Sequence, residues 1–209
     1  MTKRQTGKDA TGQLTRTAVI DAALDVLDER GLDGLSTRAV ADRLGVRMNT
    51  VLWHVKTKAR MLELMADAVL AGIRYEDLPD APLQRARELA GRYRRTLLAH
   101  RDGSALVTGT YPAEPNTLRF ADRLIGALLE AGADEQRAAW TAWTVNYFVL
   151  GLTQEEQAAP EAEESDKRLA QAVDPAAHPA LQQVLPHLRH NFEERFTFGL
   201  EAILSRIPA

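Results

Sequence analysis

Apolar residues recur at helical spacing along most of the chain, and no segment shows the strict alternation of a half-buried strand. The first segment follows Thr15, a residue type that caps helix N-termini, and it ends at Gly31, which tolerates a left-handed helix stop. Further caps and stops predict two short helices and a long fourth one. These helices are expected between Ser36 or Thr37 and Gly45, from about Met48 to His54, and from Thr57 to a point before Pro79.

The helical pattern continues beyond Pro79, so we predict an all-α fold. The stretch from Gln154 to Pro175 is rich in Glu, Ala and Pro, and it is expected to form an acidic, mobile loop. The remaining helices are expected near Pro82 to His100, Asp102 to Val107, Thr117 to Ala131, Asp134 to Gln157, Pro179 to His187 and Arg189 to Ile207.

The composition is that of an ordinary globular protein. The 209 residues are 45% hydrophobic and 26% charged, which is enough for one or two domains with a hydrophobic core. The chain has no cysteine, so it forms neither disulfides nor thiolate metal sites. No stretch reaches the roughly 18 apolar residues of a membrane span, and residues 1–14 form a polar arm. We therefore expect a cytoplasmic protein without membrane contacts.

Positive charge is concentrated at the N-terminal end of the chain. Up to Arg60 there are 11 lysines and arginines against 7 aspartates and glutamates, a net charge of +4. The whole chain has a net charge of −3, so the remainder carries −7. A basic segment joined to an acidic one is typical of a phosphate-facing module attached to a domain that does not touch DNA.

The segment from Gly34 to Lys58 has the features of a helix-turn-helix. Ala41 is small enough to let the third helix approach the second, and Gly45 supplies the positive φ that a tight turn needs. The third helix can then project into a major groove about 12 Å wide. Three apolar residues are expected to face inward and to fix the angle between the two helices: Leu44, Val46 and Val51.

The outward side of the third helix carries donors, acceptors and apolar tips suited to base edges and phosphates. Lys56, Thr57 and Lys58 follow at the start of the fourth helix, where ammonium groups and free backbone N–H groups both suit a phosphate. The alternative is an ordinary three-helix bundle with solvated charges. The outward residues are Arg47, Met48, Asn49, Thr50, Trp53 and His54.

The ordered string Thr-Arg-x-x-Ala-x-x-Leu-Gly-Val, followed by Leu-Trp-His-Val-Lys-x-Lys, closely resembles the DNA-binding domain of the TetR family. The similarity extends into the rest of the chain, in particular to the tetracycline-binding subgroup, through the segments 97–103, 109–112, 148–151 and 198–201. The family implies a flexible arm over 1–14, a helix-turn-helix domain over 15–60 and an effector-binding and dimerisation domain over 61–209. It also implies a ligand-responsive regulator, by default a repressor released from a palindromic operator.

The resemblance assigns DNA-facing or groove-positioning places on the second and third helices, and a phosphate-contacting lysine. Leu52 departs from the usual tyrosine and removes a hydroxyl that normally meets DNA. Arg47 and Met48 also differ from the tetracycline-binding subgroup, so the operator sequence is expected to differ. The assigned residues are Thr37, Arg38, Arg47, Met48, Asn49, Thr50, Trp53, His54 and Lys58.

The family's effector pocket lies between the fifth, seventh and eighth helices and is gated by the end of the fourth. Its matching positions in this chain include Glu155, which is expected to reach a pocket that both subunits build. The positions are Arg74, Leu89, Tyr93, Val107, Thr110, Tyr111, Pro112, Arg123, Asn146, Tyr147 and Glu155.

Magnesium chelation is not expected in this pocket. Tetracycline-binding members of the family place a metal-ligating His before the Gly-Thr-x-Pro turn, where this chain has Val107, and a His and an Asn where it has Arg74 and Leu89. Valine has no lone pair, so we predict neither a metal site nor a cofactor. The effector is expected to be a small, largely apolar or aromatic molecule.

Several of these side chains can be interpreted in two ways. Arg74 and Arg123 either bind an anionic group of the ligand or are merely solvated. Aromatic residues at helical spacing either line a pocket or simply pack in the core. This second ambiguity concerns Tyr93, Tyr111, Trp140, Trp143 and Tyr147.

A homodimer is expected on two grounds. The family forms a four-helix bundle from the eighth and last helices of two subunits. The segments from Trp140 to Leu152 and from Phe192 to Ile207 also carry more apolar surface than one subunit covers. Two heads on a two-fold axis would bind half-sites roughly 34–36 Å apart on double-stranded operator DNA.

Two other classes of function are compatible with parts of the sequence. His187 and His190 lie three residues apart and are followed by Glu193 and Glu194, a spacing that holds a metal on some helix faces. The surrounding polar stretch favours solvated side chains, and the chain has no Gly-rich phosphate loop or Ser-His-Asp order. We therefore predict that the protein is not an enzyme. A helical interaction module that does not bind DNA is the other alternative, and a gel shift separates these classes.

Overall fold

The computed structural model describes residues 14–110, 113–159, 162–188 and 191–207, and these residues are helical with no strand. The all-α prediction is confirmed. None of the described helices combines the length and the apolar character that crossing a membrane requires. The first four helices are α1 (Arg16–Arg30), α2 (Thr37–Leu44), α3 (Met48–Val55) and α4 (Lys58–Leu70). The others are α5 (Pro82–Leu98), α6 (Gly103–Val107), α7 (Pro115–Glu130), α8 (Glu135–Ala158), α9 (Ala162–Ala172), α10 (Pro179–Val184) and α11 (Phe192–Leu204), with a 3-10 turn at Leu185–His187.

The helix starts follow the predicted caps. Thr15, Ser36 and Thr57 each accept a hydrogen bond from the backbone N–H three residues further on, at 3.0 to 3.1 Å. Of the two candidates for the cap of α2, the structure therefore selects Ser36. Gly31 and Gly45 have φ of 72° and 65°, in the region where a side chain is strained, so α1 and α2 end at the glycines as expected.

The prediction of an irregular loop from Gln154 to Pro175 is wrong. Helix α8 continues to Ala158, and α9 occupies most of the remaining stretch. Glu, Ala, Lys, Arg and Leu are strong helix formers, and the Arg168 guanidinium lies 3.1 Å from the Glu164 carboxylate one turn earlier. Low hydrophobicity was therefore a poor guide here, because helix propensity and local ion pairing do not need a buried face.

The helices form two units, a head and a body, joined by α4. The head comprises α1 to α3, which pack around fully buried valines at 19, 26, 40, 51 and 55. The body comprises α5 to α11, in which α5, α7 and α8 pack against each other and α11 packs along α8. Helix α4 follows the head directly and packs against α1, α5, α6 and α7, so it is the structural link between the head and the body.

Candidate DNA-binding surface and effector site

The turn between α2 and α3 has the geometry that the sequence predicted. Ala41 is 2% exposed, and its carbonyl accepts a hydrogen bond of 3.0 Å from the Val46 backbone N–H across the turn. Val51 is fully buried, while Leu44 and Val46 are half-buried against the same core. These contacts fix α3 against α2, with the opposite side of α3 left outside.

The outward side of α3 presents the candidate DNA-contacting residues to solvent. Trp53 is 67% exposed and Met48 is 45% exposed. On α2, Arg38 is exposed and Thr37 is half-buried at the first helical position. Three further candidates are also exposed, namely Arg47, Asn49 and Thr50. The structure thus brings the candidates onto one side of the head, which is the arrangement that a groove-reading surface needs.

His54 is half-buried beside Trp53, and the two rings meet edge to face with centroids 4.7 Å apart. Burial, with the nearby charges of Arg16 and Lys56, lowers the pKa of His54 below its ordinary value. The lowered pKa favours the neutral imidazole, which has one donor and one acceptor nitrogen. Such a group suits a base edge better than a phosphate.

The start of α4 is arranged to meet an anion. Lys58 is the first residue of the helix and is exposed, and the first turn contains no acidic residue. The Thr57 hydroxyl accepts from the Arg60 N–H and leaves neighbouring N–H groups of the first turn pointing outward. An ammonium group and free N–H groups at a helix N-terminus together favour a phosphate.

Four of the candidate effector residues lie inside the body, on α5, α6 and α8. Leu89 is fully buried, Tyr93 is 1% exposed and Val107 is 9% exposed. The Tyr93 hydroxyl donates to the side-chain amide oxygen Oδ1 of Asn146 at 3.1 Å, and burial raises the pKa of this hydroxyl. One polar pair in apolar surroundings is the pattern of a small-molecule site.

Sequence reasoning missed Phe120 as part of this cluster. Its ring lies 4.6 Å from that of Tyr93, measured between centroids, and it covers the site from α7. Its spacing on an amphipathic helix indicated only a core position. Thr110 follows α6 and is half-buried, with its hydroxyl donating to the Val107 carbonyl at 2.7 Å. Tyr111 and Pro112 lie outside the described residues.

The other four candidate effector residues lie on the surface of the subunit. Arg74 and Arg123 are exposed, Tyr147 is 60% exposed and Glu155 is exposed on α8. They do not line the interior around Tyr93. Arg74 instead stands at the edge of a separate cleft of about 610 Å³ between the end of α4 and α5.

That cleft is lined mostly by charged and polar side chains, and Arg92, one of its three arginines, is already bound within the subunit. Arg92 pairs with Glu88 and donates to the carbonyls of Arg74 and Glu76, each at 2.7 Å. These bonds fold the connection between α4 and α5 onto α5. The cleft is therefore the outer surface of that connection.

An aromatic face of the body is left uncovered in the single subunit. Trp140 and Trp143 are 65% and 47% exposed on α8, and Phe198 is 79% exposed on α11. The rings of Trp143 and Tyr147 stack with centroids 5.5 Å apart on the same face. Neither tryptophan is part of the subunit core, which was one of the two interpretations of their spacing. Contiguous exposed apolar surface of this kind marks an interface.

Comparison with known protein families covers most of the chain. The model described as "Bacterial regulatory proteins, tetR family" matches residues 19–65. The model described as "Tetracyclin repressor-like, C-terminal domain" matches residues 78–209. The tetracycline repressor protein class E of Escherichia coli is 34% identical over 190 residues, which span 89% of this chain and 87% of that protein.

Solved structures show the same architecture. ActR of Streptomyces coelicolor, solved in complex with actinorhodin, superposes with a TM-score of 0.83 at 26% identity over 93% of this chain and 95% of its own. BioQ, solved with its double-stranded DNA operator, gives a TM-score of 0.70 at 25% identity over 93% of this chain and 98% of its own. One of these relatives therefore holds DNA and the other a small molecule.

Proposed function

Because the chain belongs to the TetR family of bacterial regulatory proteins, we propose that it is a homodimeric cytoplasmic repressor that binds a palindromic operator and releases it on binding a small molecule. In this proposal residues 15–60 bind DNA, and residues 61–209 bind the effector and dimerise. The proposal rests above all on the outward face of α3, whose side chains are exposed on a head that matches the family's DNA-binding model. We propose no catalytic role.

The DNA-binding proposal gives different tasks to different residues. Residues of α2 and α3 from Thr37 to His54 contact base edges or fix the helix in the groove, and Lys58 holds a phosphate. A gel shift with the DNA upstream of the chain's own gene, repeated at increasing salt, tests this proposal. We expect a specific complex that weakens steeply with salt, since phosphate contacts release counterions. Equal affinity for this DNA and for unrelated duplexes would contradict it.

For the effector, we propose a metal-free site around Tyr93, Thr110 and Asn146. Apolar walls and a single hydroxyl–amide pair suit an aromatic molecule with one or two polar groups. Tyr147 and Glu155 would contribute from the dimer interface, since they point out of their own subunit.

Isothermal titration separates the metal-free site from a magnesium-dependent one. Magnesium–tetracycline and metal-free actinorhodin are the two probes, each titrated with and without a chelator. Tight binding of magnesium–tetracycline that the chelator abolishes would show that another residue replaces the missing imidazole, and would refute the metal-free site. Binding of actinorhodin that the chelator leaves unchanged, and that Tyr93→Phe weakens, is the supporting result.

Effector and operator are coupled through the equilibrium between two arrangements of the dimer. The effector binds more tightly to the arrangement in which the two heads do not fit adjacent major grooves, and the operator binds to the other. The ratio of the effector's two affinities limits how far DNA binding falls, and the operator reduces effector affinity by the same factor.

A further inference from the structure

A buried carboxylate on α4 caps a helix of the body. Asp67 is 8% exposed, and its oxygens accept hydrogen bonds from the Thr117 backbone N–H at 2.8 Å, the Thr117 hydroxyl at 3.0 Å and the Asn116 amide at 2.8 Å. These residues form the first turn of α7. Within the described part of the chain, the side chain of Glu114 at the N-cap of α7 makes no capping bond. Asp67 therefore supplies from another helix the cap that α7 lacks locally.

A second link joins the same two helix segments. The Arg60 guanidinium lies 2.5 Å from the Glu114 carboxylate, and Arg60 precedes Asp67 by seven residues, which is two turns of α4 on the same face. We refer to Arg60, Asp67, Glu114, Asn116 and Thr117 as the α4–α7 clamp. Its bonds are charge-assisted, and the Asp67 carboxylate is shielded from water, so Asp67 is its stronger half.

Among the described residues, the head is also attached to the body by polar contacts at a second place. At the end of α1, the Leu32 N–H donates to the Asp102 carboxylate at 2.8 Å, and the Arg101 N–H donates to Asp28 at 3.1 Å. This corner between α5 and α6 fixes the head at one place, and the packing of α1 and α3 against α4 joins it to the body at another. The α4–α7 clamp holds α4 itself against α7 and so limits rotation of the head about the corner.

We propose that Asp67 is the positioning residue that sets the orientation of the head on the body. The orientation of the head is a property of the single subunit. Only the consequence for operator affinity rests on the proposed function.

Distance measurements within one subunit test the proposal directly. The chain has no cysteine, so Asp21→Cys on the head and Gln84→Cys on α5, both at exposed positions, accept two spin labels without background. Labelled protein is mixed with an excess of unlabelled protein, so that each dimer contains at most one labelled subunit. Pulsed electron resonance then gives the distribution of head-to-body distances.

We expect Asp67→Ala to broaden this distribution, because the head gains rotation about the corner at Asp102. Asp67→Asn keeps the shape of the side chain but loses the charge, and it decides the question if Asp67→Ala does not fold. Ser104→Ala is the matched control. It removes a buried hydroxyl that donates to the Leu150 carbonyl at 2.7 Å, a bond that lies wholly within the body. A merely structural role for Asp67 would lower thermal stability as Ser104→Ala does and leave the distribution unchanged, and that result would overturn the proposal.

Operator affinity gives the second measurement. Asp67→Ala is expected to weaken operator binding by about tenfold, since the freed heads must be ordered on DNA. When Asp67→Ala is combined with Thr117→Val, the two losses of operator affinity should be less than additive, because both substitutions remove the bond between the Thr117 hydroxyl and Asp67. Full additivity would contradict the assignment of Thr117 as the partner. If the unsubstituted protein does not bind the operator, the proposed function is refuted. The distance distributions would still decide the role of Asp67.

Discussion

The cationic residues of the head fall into two groups according to their partners. On α2, the Arg43 guanidinium is bound by the carboxylates of Asp25 and Glu29 at 3.0 and 2.6 Å. Arg38 on the same helix and Arg47 before α3 are exposed, and their guanidinium groups have no hydrogen-bond partner among the described residues. An arginine without an internal partner can contact DNA without first breaking an ion pair. Arg43 instead ties α2 to α1 and supports the fold of the head.

This distinction gives a prediction for DNA binding. Arg38→Ala should weaken specific operator binding by roughly 1–3 kcal/mol, whereas Lys58→Ala should weaken binding to all sequences and reduce the salt slope by about one. Titrations at several salt concentrations measure both quantities. Arg43→Ala is the control and is expected to reduce thermal stability while changing affinity less than Arg38→Ala. Unchanged operator affinity in Arg38→Ala would remove this residue from the DNA-reading surface.

Arg94 is the centre of a buried ion-pair cluster in the body. It is 6% exposed on α5 and donates to both carboxylate oxygens of Glu156 on α8 at 2.9 Å, and also to Glu193 on α11. The Phe196 ring lies 5.1 Å from the guanidinium. The three helices are therefore joined through a charge that is almost fully buried.

Removing one partner of this cluster should destabilise the protein more than replacing the arginine and the glutamate together with apolar residues. Glu156→Ala is expected to lower the free energy of unfolding by about 3 kcal/mol, because it leaves Arg94 buried with one carboxylate. The double variant Arg94→Met with Glu156→Leu should recover most of that loss, since well-packed apolar groups replace the pair. Urea unfolding at a fixed protein concentration measures both. A double variant no more stable than Glu156→Ala would contradict this account.

At the level of elements, the ends of helices in the head are set by single residues. Gly45 has φ of 65°, and an added Cβ would meet no atom within 4 Å. Gly126 lies within α7 and has equally open surroundings, but without a positive φ. Alanine would cause no steric clash at either glycine, so the two positions differ in backbone strain alone.

Alanine substitution at these two glycines should have opposite effects. Gly45→Ala is expected to destabilise the protein by about 1 kcal/mol through left-handed strain alone. Gly126→Ala should stabilise it by about 0.5–1 kcal/mol, because alanine has the higher helix propensity. Urea midpoints compare the two directly. A stabilising effect of Gly45→Ala would mean that the turn between α2 and α3 relaxes to negative φ.

On the scale of the whole molecule, the main feature is the aromatic face of α8 and α11, which stays exposed in a single subunit. Its aromatic side chains have no covering element among the described residues, and they lie on the two helices that the family pairs across a two-fold axis. The dimer is therefore the state in which this surface is buried.

Charge on this face should break the dimer. Phe198→Arg and Trp143→Arg are expected to give monomers at micromolar concentration in analytical ultracentrifugation, because a charge cannot be buried there without a partner. They should also reduce operator affinity, since the two half-sites are no longer bound together. Leu118→Arg is the control, at a 56% exposed leucine of α7 outside the face. A dimer of undiminished stability in Phe198→Arg would place the interface elsewhere.

The sequence by itself determined the features that depend on neighbours along the chain. Caps such as Ser36 and stops such as Gly45 act within one turn, so the helices of the head could be located in advance. The same local physics explains the one clear error. Helix propensity between Ala162 and Ala172 is also local, but it was given less weight than low hydrophobicity.

Only the tertiary structure decided which side chains share a site. The sequence placed Tyr93, Tyr147 and Asn146 in one set, and the packing of α5 against α8 joined Tyr93 to Asn146 while turning Tyr147 outward. The link from Asp67 to Thr117 spans 50 residues, and no local pattern marks it. Helical periodicity fixes which residues of one helix share a face, but the side that a neighbouring helix covers depends on the packing of the whole chain.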